Sequence, residues 1–283
     1  MGGDIIMITN ELVIKGIDYI MEHLEEEISI KEVADHCHLS KFYFSRVFKA
    51  ETGESIYAFI KRLKMEQSAF KLKTEKKKSI TDIGYDYGYS PSNYSSAFKK
   101  QNNISPFKYR SGKHSDSVIN PFYKDKLARF QSFEEYDKQV SIQELNDFKV
   151  IYDRYIGNYI DIKKNWQDFI EKYKDYFKED TILIERSYAD PSFTSVYKCL
   201  YDICMTVDND CSLDNITTIL GGKYAVYRFD GYVQDIFTVF QGLFNVWLSE
   251  SGYEMDQRYG LNIYRNIDWE NLQVVMDLCI PIK

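Results

Sequence analysis

The sequence predicts a two-domain protein: an all-α domain holding two helix-turn-helix units, followed by an α+β domain built from two repeated strand-helix-strand modules. Three observations carry this prediction. The chain has 283 residues, and at ~100 to 200 residues per domain that is most naturally two. Two different internal repeats occupy its two parts. The charge also changes sign, because residues 1–113 hold 18 Lys+Arg against 15 Asp+Glu while residues 114–283 hold 18 against 28. The domains are accordingly read as 1–113 and 140–283, with 114–139 connecting them.

Composition narrows the class. Hydrophobic residues at 44%, charged residues at 28% and aromatics at 16% are a folded composition, unlike the low hydrophobicity of disorder. No uncharged apolar run approaches the ~20 residues that span a bilayer, and residues 1–10 have neither a basic region nor a cleavage site. A cytoplasmic protein without membrane contact is expected. Cys37, Cys199, Cys204, Cys211 and Cys279 are odd in number and contain no Cys-x-x-Cys pair, so free thiols are expected rather than a disulfide framework or a zinc site. His36-Cys37-His38 resembles a metal motif, but successive residues at a helix end point apart, and neither a metal nor a cofactor is predicted.

The first repeat has an offset of 50 residues and no gap. SIKEVADHCHLSKFYFSRVFK at 29–49 lies over SITDIGYDYGYSPSNYSSAFK at 79–99. Ser29/Ser79, Ile30/Ile80, Ser40/Ser90, Ser45/Ser95, Phe48/Phe98 and Lys49/Lys99 are identical. Each copy reads as a Ser-capped helix, a tight turn, and a second helix capped by Ser40 or Ser90. The units span about 29–53 and 79–103. In each second helix the i, i+3, i+4 triplet Phe44, Val47, Phe48 or Tyr94, Ala97, Phe98 faces inward, which leaves the opposite face free to enter a groove. Ile56 to Lys73 has helical apolar spacing and no Gly or Pro, and reads as one linker helix of roughly 27 Å. That length holds the two units about one DNA turn apart. Residues 41–113 carry 16 basic against 6 acidic residues, the electrostatic footprint of a nucleic-acid surface.

These residues resemble the DNA-binding domain of the AraC/XylS transcription regulators. SKFYFSRVFKAETGESIYAFIKRLKM, DIGYDYGYSPSNYSSAFKKQNNISPFKYR and the closing Ile104–Arg110 signature carry the resemblance. It implies a homeodomain-like fold and binding to double-stranded DNA at an asymmetric promoter site through two adjacent major grooves. By motif position, Phe42, Ser45, Arg46 and Lys49 fall on the first recognition helix, and Ser92, Asn93, Ser95, Ser96 and Lys99 on the second. Arg46 has the planar fork for guanine, and Asn93 suits adenine. The family usually has Arg where this chain has Ser96, so the second helix is expected to anchor phosphates more than it reads bases.

From Val140 the pattern changes to short β-rich runs: VSIQEL, FKVIYDRYI, TILIERSYA, KCLYDICMTV, KYAVYRFDGY and LQVVMDLCIPI. The second repeat, at an offset of 74, pairs Arg154/Arg228, Gly157/Gly231, Ile162/Ile236, Trp166/Phe240, Phe169/Leu243 and Tyr173/Trp247. Side by side, two such modules would form an aromatic groove from Tyr155, Tyr159, Trp166, Tyr201, Tyr232, Trp247 and Tyr264. That composition suits a small-molecule pocket.

Here VIYDRYIGNY, ADPSFTSVYKCLYDICMTV, ILGGKYAVYRFDGY and NIYRN resemble the GyrI-like effector-binding domain, and the order of the modules resembles the Rob-type arrangement. The resemblance implies a ligand site at Tyr155, Trp166, Tyr201, Tyr232, Trp247, Asn262 and Tyr264. Family members that bind lipophilic cations or hydrolyse strained rings have a Glu two residues before the tyrosine matching Tyr264, where this chain has Asn262. Without that carboxylate the expected effector is a neutral or weakly polar aromatic or amphiphilic compound. No phosphate loop, Gly-x-Ser-x-Gly elbow or His-Glu-x-x-His occurs, and no catalytic residue is assigned. The expectation is a non-enzymatic, multidrug-sensing transcription regulator with RNA polymerase as a further partner. Hydrolase activity of the GyrI-like domain, or its use as a ligand-free protein-interaction module, are the alternatives.

Overall fold

The computed structural model describes residues 5–112, 118–120, 123, 130–159 and 162–283. His114 and part of the connecting stretch read as 114–139 lie outside the described residues. Two compact units result. The helical unit holds the described residues from Ile6 to Tyr123 together with Asp190–Thr194, and the sheet unit holds Ile5, the described residues from Phe130 to Ala189, and Ser195–Lys283.

The helical unit opens with a short strand β1 (Ile6–Ile8), followed by α1 (Glu11–Glu22), α2 (Ile30–His36), α3 (Lys41–Thr52), α4 (Ile56–Thr74), α5 (Ile80–Asp86), α6 (Pro91–Asn102) and α7 (Pro106–Ser111). Short polar residues start these helices because their side-chain oxygens satisfy amides that have no intrahelical partner. Ser29, Ser40, Ser55, Ser79 and Ser105 each accept from an amide three residues on. Ser90 makes no such bond, and Pro91, which has no amide to satisfy, opens α6 instead. The turns of α2–α3 and α5–α6 pass through left-handed backbone at His38 (φ 56°) and Gly88 (φ 78°), and α3 and α6 end on left-handed caps at Gly53 (φ 75°) and Asn103 (φ 57°). Both pairs keep the 50-residue offset. Helix α4 runs 19 residues without a break.

The core of the first unit is Phe44, Phe48 and Phe59, with Phe48 edge-on to Phe59 at 5.1 Å. That of the second is Tyr94 and Phe98, edge-on at 5.8 Å. Tyr94 donates its hydroxyl to Ser68 Oγ at 3.0 Å, which gives a buried tyrosine the partner it needs.

In the sheet unit, α8 (Phe133–Asp137), β2 (Val140–Leu145), β3 (Phe148–Gly157), α9 (Ile162–Lys172), β4 (Leu183–Ser187), β5 (Cys199–Thr206), β6 (Ile216–Ile219), β7 (Gly222–Tyr232), α10 (Ile236–Gly242), a π-helical turn Leu243–Trp247, α11 (Leu248–Glu250), β8 (Gly260–Asp268) and β9 (Gln273–Pro281) follow in order. The strands lie in the order β3-β5-β4-β8-β9-β7-β2, and β6 also pairs with β3. These strands pair antiparallel, so directly opposed residues share a face. One face therefore collects Tyr155, Tyr201 and Ser187 in one row, Asp153, Ile203, Glu185 and Asn262 in the next, and Ile151, Met205, Leu183 and Tyr264 in the third. Trp166 and Phe169 of α9 pack on this face with Ile151, Tyr155, Tyr201, Ile203 and Met205. The opposite face buries Arg154 against Asp202, with Nε to Oδ1 at 2.7 Å and both side chains fully enclosed. Arg186 and Tyr188 complete the partners that such a buried charge requires.

Candidate functional site

The outer faces of α3 and α6 carry the predicted DNA-contacting residues. Phe44 and Phe48 turn inward, which leaves Phe42, Arg46 and Lys49 exposed and Ser45 half-buried. Phe42 is 87% exposed, so its ring is not packed on its own helix. The Arg46 guanidinium lies over the Tyr43 ring, 5.5 Å from its centroid, which holds the fork at the helix surface. On α6, Ser92, Asn93, Ser95, Ser96 and Lys99 are all exposed, opposite the buried Tyr94 and Phe98. The two faces differ in chemistry: one arginine, one lysine and one bare ring against short polar groups and one lysine.

In the sheet unit, Tyr155, Trp166, Tyr201 and Tyr264 come together with Tyr159. Tyr201 stacks on Tyr155 at 5.5 Å and on Tyr159 at 4.8 Å, and Trp166 meets Tyr264 edge-on at 5.0 Å. Asn165 of α9 donates to the Tyr201 hydroxyl at 2.8 Å. Tyr155, Trp166 and Tyr201 are buried, whereas Tyr159, Asn262 and Tyr264 keep partial exposure and form the open side of the cluster. Two polar atoms here lack a well-formed hydrogen bond: Trp166 Nε1, which faces the Tyr264 hydroxyl, and Tyr159 Oη, which faces Ser187. Buried polar groups are rarely left so.

The centre of the cluster is a carboxylate that the motif reading missed. Glu185 of β4 stands directly across from Asn262 of β8 and is 4% exposed. It accepts from Tyr264 Oη at 2.9 Å, Ser187 Oγ at 3.1 Å and Asn262 Nδ2 at 3.4 Å. Burial pushes its pKa up, and those three donors only partly offset the shift. The Tyr264 hydroxyl is pushed well above its ordinary value by burial and by the neighbouring Glu185. The expectation that Asn262 leaves this site without a carboxylate is therefore corrected. The acid comes from the neighbouring strand, and Asn262 donates a hydrogen bond to it. A signal for it exists in the sequence, since Leu183, Glu185 and Ser187 alternate with Ile184 and Arg186 in one short β run, putting an acid at an inward position. Nothing in the sequence states that β4 pairs with β8 in this register.

Trp247 and Tyr232 do not join this cluster. The Trp247 indole donates to Asp137 Oδ1 at 3.0 Å and its ring stacks on Tyr253, so α8 satisfies it. Tyr232 closes β7 opposite Gln273 and is half-exposed. Shared aromatic character grouped them with the expected ligand site, but their contacts belong to the other half of the sheet. Among the described residues no group of three or more His, Cys, Asp or Glu is arranged to hold a metal, and no helix is long and apolar enough to cross a membrane.

Comparison with known proteins agrees with both halves. Residues 138–283 match the family model of the GyrI-like small molecule binding domain, and residues 33–112 match that of a helix-turn-helix domain. The chain is 34% identical over 103 residues to the multiple antibiotic resistance protein MarA of Salmonella typhimurium, covering 36% of this chain and 80% of that protein. It is 30% identical over 95 residues to the regulatory protein SoxS of the same organism, covering 33% and 88%. Among solved structures, the C-terminal domain of AraT, a response regulator from Geobacillus stearothermophilus, is similar at 30% identity and a TM-score of 0.34, covering 36% of this chain and 84% of that one. The chain belongs to the AraC/XylS family of DNA-binding transcription regulators, and it joins that family's DNA-binding module to a GyrI-like small-molecule-binding domain.

Proposed function

We propose that this regulator reads an asymmetric duplex site through the outer faces of α3 and α6, and that its GyrI-like domain binds a small aromatic effector carrying a positive charge. Arg46 reads guanine, Phe42 packs on base edges, and Lys49 and Lys99 hold phosphates. Ser45, Ser92, Asn93, Ser95 and Ser96 supply the shorter contacts. The effector lies against Tyr264, Tyr159 and Asn262, with Tyr155, Trp166 and Tyr201 as the wall behind. The observation that carries this reading is Glu185, a buried carboxylate with a raised pKa and no cationic side chain among its hydrogen-bond partners. A bound cation supplies the missing counter-charge and draws the pKa back down. The protein works in the cytoplasm, with RNA polymerase as the partner its regulatory output requires.

The test is a thermal-shift screen of the full chain against paired aromatic compounds that differ only in charge. At 100 times its Kd a ligand stabilises by about 2.7 kcal/mol, which raises the melting temperature by several degrees. Cationic members should shift the wild type, and Glu185→Gln should abolish that shift while leaving neutral members unaffected. Equal responses of wild type and Glu185→Gln to cations would remove the charge from the reading. No response to any compound would favour the ligand-free interaction module. Glu185 beside Tyr264 also has the raised pKa of a general base, which supports a second, hydrolytic reading. Turnover of a strained ring or ester that disappears in Glu185→Gln would establish it.

A further inference from the structure

We infer that Asp190–Thr194 is a strap that positions the second helix-turn-helix unit for DNA and carries the state of the effector site to it. The second part of this inference rests on the effector reading above. In the chain the strap lies between β4 and β5, the strands that bear Glu185 and Tyr201, yet its five residues belong to the helical unit. There Lys73, in the last turn of α4, pairs with Asp190 Oδ2 at 2.7 Å and donates to Ser192 Oγ at 3.1 Å. The two charged side chains are 3% and 10% exposed. A buried ammonium needs such a partner, and the strap supplies one to α4.

The strap also completes a core. The Phe193 ring packs on Phe98 of α6 at 5.6 Å and edge-on to Tyr109 of α7 at 5.8 Å. Three carbonyls of the strap are also held: Ser192 O accepts from the amides of Ile119 and Asn120, while the Asn120 side chain donates to Pro191 O and Thr194 O. Phe98 is, with Tyr94, an inward residue of the second recognition helix, so Phe193 sets how far α6 stands out. The link to the effector site is short. Ser187, which donates to Glu185, precedes Asp190 by three residues. A cation seated at Glu185 competes with the Ser187 hydroxyl for Oε1 and so changes the side-chain hold on the last residue of β4, and the strap is the next chain along.

The experiment uses the full chain on a duplex selected by the wild type from random sequence, with Arg46→Ala marking the half-site of α3. In Phe193→Ala, footprinting should lose protection over the other half-site, with affinity falling about tenfold and the α3 half-site still protected; Phe193→Leu should restore most of it. Equal weakening of both half-sites, or no change, would overturn the positioning role. For transmission, a cationic aromatic compound shown by thermal shift to bind should change the DNA affinity of the wild type. Asp190→Asn should bind the compound equally well but lose that response. A response persisting in Asp190→Asn would overturn transmission. If no compound binds the wild type, the effector reading fails and transmission with it, while the footprint still decides the positioning role.

Discussion

The two helix-turn-helix units use the same backbone and spend their side chains differently. His38 and Gly88 occupy the same left-handed turn position, as Gly53 and Asn103 occupy the same left-handed cap. Glycine and asparagine are the residues expected at such positions, and histidine is tolerated there. On the outer face, α3 offers Phe42, Arg46 and Lys49, whereas α6 offers four short polar groups and Lys99. On the inner side the balance reverses. Where α3 has Phe44, α6 has Tyr94 tied to Ser68, and Phe98 is braced by both Tyr109 and Phe193. A duplicated unit thus keeps its turn geometry while one copy exposes a bare ring and an arginine and the other is braced from behind.

Four measurements would break or sharpen this contrast. The largest effect should come from the Lys73–Asp190 pair that braces the second unit, since removing one partner of a buried pair costs about 3–5 kcal/mol. Burial pushes the Asp190 carboxyl up, but Lys73 and the Ser192 hydroxyl and amide outweigh it and hold the pKa below its usual value. A depressed pKa contributes stability that is present above the unfolded value of ~3.9 and disappears as pH falls through the lower folded value. Thermal melts should therefore show a loss of stability below about pH 4, and Asp190→Asn should be less stable at neutral pH and flatter in acid.

Next, Arg46→Ala should weaken specific DNA binding by about 1–3 kcal/mol and relax preference at one base pair. Asn93→Ala should cost less than Arg46→Ala, because a single amide offers less than a charged fork. Equal losses would show that both helices read bases alike. The smallest effects test the caps. Ser40→Ala removes the acceptor for the Tyr43 amide and should cost about 1 kcal/mol of stability. Ser90→Ala should cost only a few tenths of a kcal/mol, since Ser90 makes no cap bond and Pro91 opens the helix. Denaturant unfolding of the two variants side by side measures both.

Legibility followed the range of the interactions. Helix faces come from residues three and four apart, so the exposed row with Arg46 and the buried row with Phe44 and Phe48 could be separated from the sequence alone. The α+β class of the second half was readable from its short β runs. The aromatic cluster was only partly so: Tyr155, Trp166, Tyr201, Asn262 and Tyr264 do gather, but Trp247 and Tyr232 have other neighbours. Glu185 was not legible because the family motif carries its acid on the strand of Tyr264, whereas here the acid stands on the strand across from it. An offset in strand pairing changes which side chains meet, and no local pattern records it.

The sequence by itself determined the two classes of domain, the Ser-capped helices and the basic face of the first domain, because each depends on neighbours within a few turns of chain. It also carried the family resemblance, which rests on contiguous motifs. The tertiary structure alone decided that Glu185 meets Asn262 and Tyr264, residues 77 and 79 positions away. It alone decided that Lys73 finds its counter-charge at Asp190, 117 positions along the chain. Both contacts join groups that local periodicity cannot relate, and both exist because burying a charge demands a partner wherever the fold can bring one.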